Sequence, residues 1–192
     1  MELHFITHNP GKIASATRIL KEYGVKVIPF DIPSVVEPRE YDPRKVVEQK
    51  IAQVAKNFSE PFMVSDAAFF VHSLNGFPGT FTNHMLDTIK VEGLLKLLEG
   101  KDRRCEFRQC LGYLESNTSQ PKIFEWSVSG IIAEEPRGVF EQDYHWSDLA
   151  RVFIPNNSKK TLAEMTKEEH DEWRENVRPS EFDMLGEHLT KG

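Results

Sequence analysis

The chain has 192 residues, of which 39% are hydrophobic and 28% charged, the ordinary balance of a globular domain long enough to bury a substantial core. A formal charge of −6 excludes a protein that wraps a nucleic-acid polymer with a basic face, and no apolar run approaches the length of a membrane span. Residues 1–6 lack the basic start and long apolar centre of a signal peptide, so one cytoplasmic domain over residues 1–192 is expected, with no membrane partner.

In chain order, Glu2–Ile6 alternates as a strand, and Pro10–Gly24 carries Ile13, Ala16, Ile19 and Leu20 at helical spacing. Between them lie Thr7, Asn9, Pro10, Gly11 and Lys12. A strand, a polar turn and a helix N-terminus form an anion cradle, because the first-turn N–H groups lack intrahelical partners and the helix dipole favours negative charge there. The simpler reading is that Asn9 caps the helix and Pro10 opens it. The stretch is not the glycine-rich phosphate loop, since Ile13 follows Gly11-Lys12 where that motif has Ser or Thr.

Val25–Phe30 reads as a second strand and residues 31–42, with Pro33, Glu37, Pro38 and Glu40, as a loop. Residues 43–57 form a helix with Asp42 as N-cap, Pro43 at its first position and Val47, Ile51, Val54 and Ala55 as its apolar stripe. Lys50 stands at the edge of that stripe, where its long stem can snorkel outward or reach into a site.

The strand that follows, from Phe62, meets a carboxylate at Asp66 in mid-course, resumes with Phe69, Phe70 and Val71, and breaks at Asn75, Gly76, Phe77, Pro78 and Gly79. An ionised Asp inside such a segment needs a cation, a metal or donors. Alternatively it caps a turn between two short strands.

Residues 85–100 read as one helix closed by Gly100. Cys105–Leu114 and Ile123–Ala133 read as a long antiparallel hairpin, and Cys105 and Cys110, five apart, face opposite sides as reduced thiols. A loop with Phe140, Tyr144, His145, Trp146 and Asp148 precedes a short strand over Ala150–Pro155. Thr161 with Glu164 and Thr166 with Glu169 have capping-box spacing, the second opening a helix through Asn176, and a last helix starts near Ser180.

Thr7, Asn9 and Lys12 after the first strand, Lys50 sixteen positions before Asp66, the Leu74–Gly79 turn, the Leu94–Gly100 helix end, Pro136–Gly138, Phe153–Pro155 and Thr161–Met165 together resemble the inosine/xanthosine triphosphate pyrophosphatase family, in that family's order and over most of the chain. The resemblance implies an α/β fold: an elongated mixed sheet flanked by helices, two lobes with a central cleft, and a homodimer. It implies Mg²⁺-dependent cleavage of a non-standard purine nucleoside triphosphate to the monophosphate and pyrophosphate. Carried over, Thr7, Asn9 and Lys12 hold the triphosphate, Lys50 helps neutralise it, Asp66 activates water, and Asp66 with Glu37 or Glu40 holds the metal.

Departures from the family pattern are as informative. Ser65 and Ala67 flank Asp66, so the neighbouring carboxylate of the family is gone, and His84 stands where an arginine commonly follows the Pro-Gly turn. The base-stacking loop lines up without gaps on residues 146–151, which loses both its aromatic and its Asp. With two extra residues, Trp146 takes the stacking role and Asp148 the polar one, although a core tryptophan is the plainer reading. The family's Ser-His-Arg falls near Arg174–Arg178 and leaves Arg178 as its base-reading candidate. The other readings are a nucleotide-binding protein on this scaffold with weakened catalysis, and a metal-free hydrolase using His72, His145 or His170.

Overall fold

Alternation along one strand decides the layering of the first part of the chain. In the computed structural model, which describes residues 1–32, 35–141 and 145–191, β3 (Phe62–Val71) is continuous and almost wholly buried. Successive side chains of a strand point to opposite faces. Met63 accordingly joins Leu3 and Phe5 of β1 (Glu2–Ile6) against α1 (Pro10–Lys21) and α6 (Glu181–Lys191), through Ile19, Leu20, Phe182 and Leu185. Phe62 and Val64 face the other way and pack on Val47, Ile51 and Val54 of α2 (Pro43–Val54).

The helices start where their caps dictate. Asn9 and Asp42 each accept a first-turn backbone N–H, at 3.0 and 2.9 Å, and each is followed by a proline that has no N–H to leave unpaired. α1 ends near Gly24, whose φ of +70° suits a residue without Cβ. The loop before α2 contains Pro33, which lies outside the described residues, as does Tyr144 of the later loop.

The sheet is mixed, in the order β2-β1-β3-β5-β6-β7, with the two-residue β4 (Pro78–Gly79) on β3. β1 pairs in parallel with β2 (Lys26–Phe30) and with β3. β5 (Arg104–Leu114) and β6 (Lys122–Ile132) are neighbours joined by residues 115–121, and the Ile132 N–H meets the Arg103 carbonyl at the far end, so they form the expected hairpin. β7 (Phe153–Pro155) lies antiparallel to β6. Cys105 and Cys110 are free and buried, and burial pushes both thiols up, Cys110 to about 12, so neither is a ready thiolate.

Two expectations need correcting. The single helix over residues 85–100 is two, α3 (Thr82–Thr88) and α4 (Lys90–Leu97), because Lys90 takes a left-handed φ of +60° that cannot continue an α-helix. Thr88 returns its hydroxyl to the His84 and Met85 carbonyls, and Gly93 packs so closely on Ile89 that a Cβ would lie 2.6 Å from it. The strand expected from Ala150 begins only at Phe153, because residues 148–151 close a 3-10 turn in which the Val152 N–H returns to the Leu149 carbonyl.

By contact density the chain divides into two units, and the division falls within β3, β5 and β6. Residues 1–67, 109–126 and the segment from Pro179 form the first, which holds Asp66. Residues 68–108 and 127–178 form the second, whose core is an aromatic run: Phe69 to Phe107 at 4.6 Å, Phe107 to Phe153 at 4.9 Å and Phe107 to Trp146 at 5.3 Å between ring centroids. α5 (Lys167–Asn176) adds Trp173 to it, after both predicted capping boxes form, at Thr161 and Thr166.

Candidate active site

The charged centre of the first unit is assembled from the start of α1, the middle of α2 and the middle of β3. Thr7 Oγ1 accepts the Asn9 N–H at 3.2 Å and Asn9 caps α1, so the turn is pre-shaped by its own side chains. Asn9 therefore does serve as the helix cap. Gly11 is tight there: a Cβ would stand 3.3 Å from Asn9 Oδ1.

Lys12, one turn into α1, sends its Nζ to the Ser65 carbonyl at 3.3 Å. Lys50, on α2, lies at 2.6 Å from Glu37 Oε1 and 3.5 Å from Asp66 Oδ1. Asp66 is thus a mid-strand carboxylate answered by cations, and the turn-cap alternative is ruled out by the unbroken strand through it. It is 8% exposed, and its Oδ2 has no hydrogen-bond partner.

Burial raises the Asp66 pKa, against the opposing pull of Lys12 first and Lys50 second, with Glu37 adding to the rise. Burial also lowers the Lys12 pKa, and Asp66 is the strongest influence holding its charge. A carboxylate with one idle oxygen, an elevated proton affinity and two ammonium groups about it can accept a proton from water while the lysines meet an anion.

For a metal, Asp66 Oδ2 and Glu37 are the donors at hand, since both carboxylates already share the Lys50 ammonium. Glu40 is engaged by Gln49 Nε2 at 3.1 Å. Among the described residues no three His, Cys, Asp or Glu side chains gather as an all-protein cage. This donor set fits Mg²⁺, which takes one or two carboxylates and completes its shell with water and substrate phosphate oxygens.

Trp146, Asp148 and Arg178 belong to the second unit. Trp146 is half-buried between Phe107 and Trp173, its centroid 5.6 Å from the latter. Asp148 pairs with Arg151 at 3.4 Å, and Arg178 with Glu175 at 2.9 Å. Leu149 and Ala150, the residues that an ungapped register would offer to a base, are buried.

The histidines of the rival hydrolase reading have structural duties. His145 Nδ1 accepts the Glu141 N–H at 2.9 Å, so its proton sits on Nε2 and is donated to the Leu162 carbonyl at 3.3 Å. His170 is buried against His145 and Trp173, and His72 stands 3.8 Å from Glu106.

Sequence reasoning passed over Glu181. It opens α6 and is 2% exposed, and burial pushes its carboxyl up to about 7 against the pull of its own backbone N–H and, less, of the Lys12 charge. An acid whose folded pKa is raised contributes stability that is complete below its unfolded value, near 4.5, and is lost as pH rises toward 7. Relative to wild type, Glu181→Gln is therefore expected to gain stability between pH 4.5 and 8, by an amount on the order of a few kcal/mol. Denaturant midpoints of both proteins at the two pH values check this.

Comparison with known proteins gives the chain its relatives. A model of the Ham1 family matches residues 3–177. The dITP/XTP pyrophosphatase of Pyrococcus horikoshii is 35% identical over 173 residues, covering 88% of this chain and 87% of that protein. That of Methanopyrus kandleri is 36% identical over 172 residues, covering 88% and 87%. A HAM1 protein structure from Coxiella burnetii shares the fold, with a TM-score of 0.82 over 100% of both chains at 24% identity. With the family model spanning most of the sequence and these relatives matched nearly end to end, the chain belongs to the Ham1 family.

Proposed function

We propose that the protein hydrolyses a nucleoside triphosphate, of the non-standard purine class, between its α- and β-phosphates to give the monophosphate and pyrophosphate. The observation that carries this reading is Asp66, a buried carboxylate with an unpartnered Oδ2 and two lysines about it. The names of the relatives, dITP/XTP pyrophosphatases, agree with it.

Phosphoanhydride hydrolysis asks for positioning and charge neutralisation more than for covalent chemistry by the protein. The Thr7–Lys12 turn and the α1 N-terminus receive phosphate oxygens, with Lys12 and Lys50 as the cations. Asp66 orients a water and takes its proton as the oxygen adds to phosphorus and the bridging P–O bond breaks, so the pyrophosphate leaves with the electron pair. Mg²⁺, held by Asp66 with Glu37, and with Glu40 the alternative acid of that loop, would supply charge shielding and a more acidic water.

The base-reading roles rest on chemistry: Trp146 offers a broad π-face, and Asp148 and Arg178 an acceptor and a donor. The loss of the family's His and the presence of His84 leave the accepted base to measurement. The homodimer that the resemblance implies and the cytoplasmic placement read from composition belong to the same proposal; among the described residues no helix is long and apolar enough to cross a membrane.

The test is pyrophosphate release from a panel of ribo- and deoxynucleoside triphosphates, including inosine and xanthosine triphosphates, with Mg²⁺ or with EDTA. Turnover of one or a few nucleotides that EDTA abolishes and added Mg²⁺ restores is expected. A flat panel with saturable nucleotide binding would replace this reading with a binding protein on the same scaffold.

A further inference from the structure

Gln53 of α2 has no part in the reading above, yet its side-chain amide takes both backbone groups of one residue in the acidic loop. The Val36 N–H donates to Gln53 Oε1 at 2.8 Å, and Gln53 Nε2 donates to the Val36 carbonyl at 2.9 Å. A neighbouring strand pairs in this double fashion, so the amide stands in for one rung of a sheet and fixes Val36 in position and in rotation. The Val36 side chain contributes nothing to this hold, being 71% exposed.

Glu37 follows at once, and Pro38 follows Glu37. A residue before proline is kept from the α region, so the Glu37 backbone is confined from both sides, by the clamped residue ahead of it and the ring behind it. Its carboxylate lies 2.6 Å from Lys50 Nζ, which also stands 3.5 Å from Asp66. Gln49 reaches Glu40 at 3.1 Å further along. As α2 advances through Gln49, Lys50 and Gln53, the loop partners run back through Glu40, Glu37 and Val36, so the loop is laid antiparallel to the helix. Of these three side chains Gln53 grips backbone. Ile32 and Val35 also pack on the α2 cluster and bring the loop to the helix, but apolar contact is non-directional and does not aim a side chain. The Lys50 pair alone is a weak tether, since the Glu37 side chain is 69% exposed and water screens so open an ion pair.

Resting on the metal-holding role given to Glu37 above, we propose that Gln53 is a positioning residue: through the Val36 backbone it aims the Glu37 carboxylate at the Lys50 and Asp66 side chains, and so sets the affinity of the site for a divalent cation. An exposed carboxylate on a loop is a poor ligand unless its backbone is held, because ordering it at the moment of binding costs conformational entropy. With Gln53 in place that ordering is complete on folding, before any ion arrives.

Two measurements on the intact chain test this, with wild type, Gln53→Met, Glu37→Gln and the Gln53→Met/Glu37→Gln double variant. Met keeps the length and helix propensity of Gln and has no amide. In the first, Mn²⁺, a spectroscopic stand-in for Mg²⁺, is titrated without nucleotide and the free ion is read by its EPR signal. Gln53→Met is expected to weaken Mn²⁺ binding about tenfold, the low end for side chains that orient a metal ligand, and to change nothing further in the Glu37→Gln background, because contributions that act through one partner are not additive. In the second, hydrogen exchange of the Val36 amide should speed up in Gln53→Met while the amides of Val47 and Ile51 keep their protection, which shows α2 intact. Unchanged Mn²⁺ affinity in Gln53→Met, an equal loss with and without Glu37, or a Val36 amide that exchanges as fast in wild type as in Gln53→Met overturns the proposal. Should Gln53→Met not fold, Gln53→Ala decides by the same criteria. Wild-type protein that binds no Mn²⁺ removes Glu37 from the metal, and this inference with it, while the nucleotide panel above judges the hydrolase; Mn²⁺ binding to which Gln53 is indifferent sinks this inference alone.

Discussion

Asp66→Asn is expected to lower kcat for nucleoside triphosphate hydrolysis by roughly 10² to 10⁴-fold while nucleotide binding changes only a few-fold. Asn fills the same volume and still offers an oxygen to Lys50, whose shorter contact is with Glu37 at 2.6 Å, so the lysines keep an anchor. What Asn cannot do is take a proton. Because burial raises the Asp66 pKa, the acid limb of the wild-type pH profile should stand above the ordinary carboxylate range, and activity should fall as pH drops through that raised value. A limb in the ordinary carboxylate range, or a variant with near-normal kcat, would remove Asp66 from the base role.

The largest stability effect is expected at Gly138. Its φ is +76°, and a Cβ there would collide with the Ala163 carbonyl. The turn is clamped on both sides, by the Val139 N–H on the Ala163 carbonyl at 3.1 Å and by the Thr161 hydroxyl on the Arg137 carbonyl at 3.2 Å, so it has no room to shift. Left-handed strain and overpacking together put the cost of Gly138→Ala at roughly 2–4 kcal/mol, seen as a drop in Tm of about 5–15 °C. Gly24→Ala is the control: φ is +70° but nothing lies within 4 Å of its Cβ, so only strain of about 1 kcal/mol should remain. Equal losses in the two variants would show that the clash at Gly138 is relieved.

The first half of the fold was legible because its signals are local. Asn9 with Pro10 and Asp42 with Pro43 mark helix starts through chemistry confined to one turn, and in the almost wholly buried Phe62–Val71 the alternation of side chains between the two faces fixes which helix each one meets. Lys50 and Asp66 were brought together in the sequence only by the family resemblance, and the structure places them 3.5 Å apart. The break at Lys90 escaped, since a left-handed lysine has no sequence signature and the apolar spacing of residues 85–98 runs on across it. The strand read from Ala150 starts three residues late, because residues 148–151 close a 3-10 turn instead.

Glu181 escaped for a different reason. An acid in the first turn of a helix is the commonest of placements, and only the packing of α6 on α1 and β3 shows that this one is shut from water. A trace was present nonetheless: Ser180 and Asp183 already complete the helix end, which leaves the acid between them without a capping task. The base-reading residues were legible only as types. Trp146 packs on Phe107 and Trp173 as a core tryptophan would, while retaining partial exposure.

Phosphorus-31 NMR of the products from inosine triphosphate with Mg²⁺ and the wild-type protein tests the central claim most directly, because it reports which anhydride is cut. A pyrophosphate signal growing in step with nucleoside monophosphate, with no diphosphate intermediate, is the expected result. Orthophosphate accumulating with the nucleoside diphosphate would contradict cleavage between the α- and β-phosphates.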